Sequence, residues 1–138
     1  MSYWYFPSNK EVFDMVACLH ERDEIDQPCY KPIKVGDTVF IYVTAPYGQI
    51  LYQMEVIATF HSFEQVNKGR WVKYAARGIQ PREGNWIRMK FVDNANPGFK
   101  PLQPQGLRMN DINTASMIYP LTKAKAEYIL EQFKASKE

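Results

Sequence analysis

Two histidines, His20 and His61, and two cysteines, Cys18 and Cys29, are the natural places to look for metal or nucleophilic chemistry in this chain. Neither histidine stands at a metal-ligand spacing from a cysteine or a carboxylate, so no zinc site is expected. The sequence has no glycine-rich phosphate loop, no serine in a nucleophile elbow and no cysteine with an obvious histidine partner except by distant folding. Asp23, Glu24 and Asp26 could offer a carboxylate pair for general acid–base work, but a clustered acidic loop is read first as a solvated one. The expectation is a protein that is not an enzyme and needs neither metal nor cofactor.

Aromatic side chains are the richer signal, at 14% of the residues. Trp4, Tyr5, Tyr42, Tyr47, Trp71, Tyr74 and Trp86 exceed what a small core commonly needs, and of these Tyr74 and Trp86 are assigned to the core. Trp4, Tyr42, Thr44 and Tyr47 fall near predicted strand ends, where barrel mouths form and ligands bind. A flat aromatic pocket with a few polar groups suits a nucleobase, because stacking holds the ring while hydrogen bonds read its edge.

Charge is segregated along the chain although the formal net charge is only +2. Residues 1–26 carry six acidic side chains against two basic ones, whereas residues 68–108 carry nine basic side chains against two acidic ones. One cationic face would attract a polyanion such as nucleic acid; a solvated strand face is the plainer alternative.

The elements that must position these residues centre on Lys34-Val-Gly-Asp-Thr-Val-Phe-Ile-Tyr-Val43, a Gly-Asp turn running into β-favouring residues. Val39, Ile41 and Val43 alternate with Thr38, Phe40 and Tyr42, and both sets are largely apolar, so this strand is expected to carry protein on both sides. Thr44 to Gly48 breaks it, and Ile50 to Phe60 can pair back antiparallel, with Tyr52, Met54, Val56, Ala58 and Phe60 facing the core. Tyr3–Phe6, Trp71–Ala76 and Trp86–Val92 read as further strands; in the last, Arg88 and Lys90 stand side by side opposite Ile87, Met89 and Phe91.

Ser8 and Glu11 form a capping box for a helix from Asn9 to about His20, with Val12, Phe13, Val16, Ala17 and Leu19 buried. Glu21 to Pro32 reads as a loop, Gly78 to Asn85 as a turn, and Asp93 to Gln105 as a long irregular connection. Thr122 can cap a last helix to about Lys134 on a stripe of Ala126, Ile129, Leu130 and Phe133. The fold class is therefore mixed, α+β: a small twisted barrel of about five or six mainly antiparallel strands with flanking helices.

At 138 residues and 46% hydrophobic content, one domain spanning 1–138 is long enough to bury a real core. A mean hydropathy of -0.42 without a long apolar run argues against a membrane span. Met1 to Pro7 lacks a basic region followed by an apolar segment, so no signal peptide is expected, the default home is cytoplasmic, and Cys18 and Cys29 are expected to be free thiols.

The chain resembles the EVE domains of the PUA-like superfamily. The likeness runs through Tyr3-Trp4-Tyr5, the Lys34–Val43 strand, the strand around Tyr52 to Ala58, Gly106-Leu107 and Ala126-Glu-Tyr-Ile129, and its most specific part is Val35-Gly36-Asp37. EVE domains are readers of modified bases on a small, partly closed β-barrel, some of them fused to nucleases. The sequence departs from them at Ile25-Asp26-Gln27, where related chains often carry a Trp after the acidic pair, and at Asn113-Thr114-Ala115, where they carry Gln-Gly-Pro.

The expected base pocket at the barrel mouth is formed by Trp4, Ser8, Asp26, Tyr42, Thr44, Tyr47, Asn113 and Thr114. Lys34, Arg77, Arg82, Arg88, Lys90 and Arg108 would then hold phosphates. The expected function is a non-catalytic module reading a modified base in DNA or RNA, with any effector activity supplied by a separate protein. Two alternatives stay open: a PUA-like module for unmodified RNA, and a small-molecule or protein-interaction domain that binds no nucleic acid.

Overall fold

The computed structural model describes residues 1–9, 11–44, 47–76, 83–95, 112 and 116–137. Six strands and three helices follow in chain order: β1 (Tyr3–Ser8), α1 (Met15–Glu21), β2 (Glu24–Pro28), β3 (Thr38–Val43), β4 (Gln49–Phe60), α2 (Lys68–Tyr74), β5 (Trp86–Asn94), β6 (Tyr119–Leu121) and α3 (Lys123–Ala135). The strands form one sheet in the order β2-β5-β4-β3-β1-β6, antiparallel throughout except for the parallel pair β1 and β3. The mixed α+β fold expected from the sequence is the one observed. The sheet is not closed, and β2 and β6 stand at its edges.

β3 does carry protein on both faces. On the first face Val39, Ile41 and Val43 pack with Trp4 and Phe6 of β1, with Tyr52, Met54 and Val56 of β4, and with Phe13, Val16 and Leu19 at α1. On the second face Phe40 packs with Tyr5, Ile50, Leu121 and the α3 stripe Ala126, Ile129 and Phe133. Phe40 and Phe133 meet edge-on with ring centroids 6.0 Å apart. Burying both faces of one strand ties the two ends of the chain to the middle, since α1 and α3 are then held by the same six residues.

The turn before β3 explains why Val-Gly-Asp stands out in the sequence. Gly36 adopts φ 95°, a region open to glycine at no steric cost. The buried Asp37 carboxylate then accepts hydrogen bonds from the Ser2 N–H at 3.0 Å, the Trp4 indole N–H at 3.0 Å and the Lys34 N–H at 2.9 Å. Burial alone would push this carboxyl up, but the bonds from Lys34, Ser2 and Trp4 and the nearby N-terminal ammonium outweigh it and hold it below the usual carboxylate range.

Four local expectations are corrected. Residues 71–76 are not a strand: Asn67 caps α2 through its side chain, accepting from the Arg70 N–H at 3.3 Å, and Trp71 and Tyr74 are buried at helical spacing. The stretch read as a loop from Glu21 contains β2, whose Asp26 finds a partner on β5, and β6 adds a strand ahead of α3. The first helix begins at Met15 rather than Asn9, because Asp14 is its cap and accepts from the Ala17 N–H at 3.1 Å, while Ser8 belongs to β1. Val12 is consequently exposed. Cys18 and Cys29 are buried and not joined in a disulfide. The Asp93–Gln105 connection beyond Ala95, most of the Gly78–Asn85 turn, Gly106-Leu107 and Asn113-Thr114-Ala115 lie outside the described residues.

Candidate functional site

Strand pairing brings the end of β1, the end of β3 and the start of β4 together at one end of the sheet. Ser8 lies opposite Val43, and Val43 opposite Gln49. The Thr44 N–H donates to the Ser8 carbonyl at 3.0 Å and the Tyr47 N–H to the Thr44 carbonyl at 3.1 Å, which fixes the turn leading into β4. Gly48, at φ 61°, returns the chain, and a Cβ there would stand 3.7 Å from the Tyr42 hydroxyl. Ser8, Thr44 and Tyr47 thus share one rim.

Residues paired across strands share a face of the sheet. Ser8, Val43 and Gln49 therefore form one row on the first face, and Phe6, Ile41 and Tyr52 the next, with Asn94 of β5 beyond Tyr52. Ser8 and Asn94 are buried, and the half-buried Tyr47 packs against the same face. Tyr42 is at this end of the sheet but on the second face, where its ring lies 5.9 Å from that of Tyr5, which in turn stacks on Tyr119 at 4.6 Å.

Two rim residues escaped the sequence reading. Tyr52 is fully buried, and among the described residues its hydroxyl has no hydrogen-bond partner; the Gln49 side-chain carbonyl oxygen is likewise buried without one there. Burial, then proximity to Tyr47, Asp14 and Cys18, pushes the Tyr52 phenol far above its ordinary value, so it is a neutral O–H at any ordinary pH. A polar residue opening a strand on its buried face was the available signal, but it needs the register with Val43 to be seen.

Trp4 is placed away from this rim. It lies on the first face four residues before Ser8, roughly 13 Å along the strand. It is 7% exposed, and its indole N–H is committed to Asp37. Lys34 is exposed beside that same Asp37 turn, at the opposite end of β3 from the rim.

Asp26 and Arg88 form a site of their own. The Asp26 carboxylate, with its side chain 2% exposed, accepts from Arg88 Nε at 2.7 Å, Arg88 Nη2 at 3.0 Å and the Asn67 N–H at 2.8 Å. Arg88 also donates to the Gln65 carbonyl at 3.2 Å and lies over the Phe60 ring. It pairs with Ala58, six residues along β4 from Tyr52, roughly 20 Å away. A single base at the rim cannot reach both.

Lys90 is exposed, in register between Glu24 and Glu55. Lys73 pairs with Glu21 at 2.8 Å, and Arg70 donates to the Glu24 carbonyl. Among the described residues β2 and α1 set the acidic N-terminal segment against β5 and α2 of the basic one, which pairs much of the charge that the sequence keeps apart. Arg77, Arg82, Arg108, Asn113 and Thr114 lie outside the described residues. Among the described residues no three His, Cys, Asp or Glu side chains are placed to hold a metal ion, and no helix is long and apolar enough to cross a membrane.

With this geometry in hand, the whole chain superposes on several solved structures. A protein from Rhodopseudomonas palustris matches with a TM-score of 0.61 at 12% identity, covering 100% of this chain and 97% of that one. A protein from Leishmania major gives 0.60 at 15% identity over 98% and 96% of the two chains. The ASCH protein of Zymomonas mobilis gives 0.58 at 12% identity over 94% of each chain. The chain shares the fold of these proteins. At these identities the likeness is one of architecture. No protein-family model and no curated protein matches the sequence.

Proposed function

We propose that the chain is a non-catalytic nucleic-acid-binding module of RNA-binding type that seats one base at the rim formed by Ser8, Thr44 and Tyr47. The observation that carries this reading is the half-buried Tyr47 beside buried hydrogen-bonding groups at the strand ends of a PUA-like sheet. Tyr47 offers a π-face, and the hydroxyls around it can read a base edge. The finer reading, recognition of a modified base as in EVE domains, rests on the resemblance of Tyr3-Trp4-Tyr5 and Val35-Gly36-Asp37. The non-catalytic part rests on a sequence without a nucleophile elbow or phosphate loop.

Phosphate contacts fall to Arg77, Arg82 and Arg108 in this reading, since Arg88 is engaged by Asp26. That engagement also favours a second reading, a small uncharged ligand at the same rim. Salt separates the two. The test is titration of fluorescent single-stranded RNA and DNA, plain and base-modified, with the parent chain and Tyr47→Ala from low to high salt. The module should bind RNA with affinity that falls as salt rises, and Tyr47→Ala should lose about 1–3 kcal/mol. Binding of nucleosides alone, indifferent to salt, favours the small ligand; no binding by the parent refutes both.

A further inference from the structure

Among the described residues four buried side-chain polar atoms lack a hydrogen-bond partner, Arg70 Nε and Trp71 Nε1 on α2 and Gln49 Oε1 and the Tyr52 hydroxyl on β4, whereas Asp26 and Asp37 of the sheet region each accept three hydrogen bonds. Gln49 Oε1 and the Tyr52 hydroxyl are different, buried and unpartnered in adjacent rows of the first face. Ile41 and Val43, the residues they oppose on β3, are two apart, so the rows are roughly 7 Å from each other. An unmet buried polar group costs about 1–3 kcal/mol. Two of them near Tyr47, on a buried face that also carries Ser8 and Asn94 at the end of the sheet where β1 and β3 stop, call for a group that brings its own donor and acceptor.

We infer that Gln49 Oε1 and the Tyr52 hydroxyl are the edge-reading pair of the rim, binding an N–H donor and a C=O or ring-nitrogen acceptor of an uncharged heterocycle. This rests on the base-binding reading above and deepens it by naming the ligand chemistry and the atoms that select it. Gln49 Oε1 accepts from the ligand N–H, and the Tyr52 O–H donates to the ligand acceptor. Asp14, a carboxylate close enough to act on the Tyr52 phenol, spends Oδ1 on the Ala17 N–H as the cap of α1. The pair therefore suits a neutral base edge and rejects phosphate or carboxylate, which bring no N–H for Gln49.

The experiment measures binding and folding stability in parallel for the parent, Tyr52→Phe and Gln49→Met. The probes are uridine, cytidine, adenosine and guanosine, their single-stranded oligonucleotides, and an abasic oligonucleotide of the same length. The parent should bind the base-bearing oligonucleotides, and Tyr52→Phe and Gln49→Met should each weaken this about tenfold. Binding of the abasic strand should not change. Tyr52→Phe should leave the melting temperature of the free chain equal or higher, because a buried hydroxyl without a partner is removed.

Variants that bind the base-bearing strands as tightly as the parent overturn this inference while leaving the module reading intact. A Tyr52→Phe chain that melts well below the parent shows that the hydroxyl is satisfied within the free chain, and also overturns it. A parent that binds no nucleoside and no strand removes both readings together.

Discussion

Replacing Arg88 by Met tests what the strongest cation of β5 is for. The substitution keeps an apolar stem over the Phe60 ring but leaves Asp26, whose side chain is 2% exposed, with the Asn67 N–H as its remaining partner. Breaking a buried ion pair by removing one member costs about 3–5 kcal/mol. The Arg88 side chain retains 30% exposure, which places the expected loss at the low end, about 3 kcal/mol. For a chain of this size that is roughly a 10 °C fall in melting temperature. Urea denaturation followed by tryptophan fluorescence reads the same loss as a lower midpoint at unchanged slope. The double variant Asp26→Asn with Arg88→Met should recover a good part of it, because no buried charge is then stranded. A single variant that melts within about 2 °C of the parent while losing nucleic-acid affinity would refute this reasoning and return Arg88 to the phosphate-binding set.

Asp37→Asn should destabilise the chain by about 1–3 kcal/mol at neutral pH, through weaker acceptance from Trp4, Ser2 and Lys34. Because the folded carboxyl titrates below its unfolded value near 3.9, its contribution is present above that value and is lost as pH falls through the folded one. Denaturation midpoints of parent and variant should therefore converge below about pH 4, and a gap independent of pH would contradict the assignment. Gly36→Ala meets no atom within 4 Å, so its cost comes from the backbone at φ +95°, about 1–2 kcal/mol, read as a lower melting temperature. A neutral Gly36→Ala would mean that the turn relaxes.

How much of this was legible in the sequence follows from which interactions are local. β3 was readable because its residues are apolar on both parities, and α3 because Thr122 caps a stripe that closes on itself at helical spacing. α2 was misread because Trp71, Val72 and Tyr74 are strand-favouring residues; Asn67 starts the helix, and buried contacts with Phe63 and Trp86 hold Trp71 on it. β2 was missed because Glu24 and Asp26 look like a solvated loop until Lys90 and Arg88 stand opposite them.

The candidate site was half visible. Thr44 and Tyr47 were found from the strand break, and Ser8 joins them by the parallel pairing of β1 with β3, a contact 35 residues apart in the chain. Trp4 looked like a stacking platform because it is a tryptophan near a strand end, yet the Asp37 clamp buries it. Gln49 and Tyr52 could not be singled out, since a missing hydrogen bond is a property of three-dimensional packing.

The central claim, that a base is seated at the Ser8–Thr44–Tyr47 rim, is tested most directly by following backbone amide shifts as single-stranded RNA is titrated into the labelled chain. The account predicts that the largest shifts fall on Ser8, Thr44, Tyr47, Gly48 and Gln49, with Lys34, Asp37 and Arg88 little moved. Shifts concentrated around Arg88 and Asn67, or around the Asp37 turn, with the rim unmoved, would contradict it.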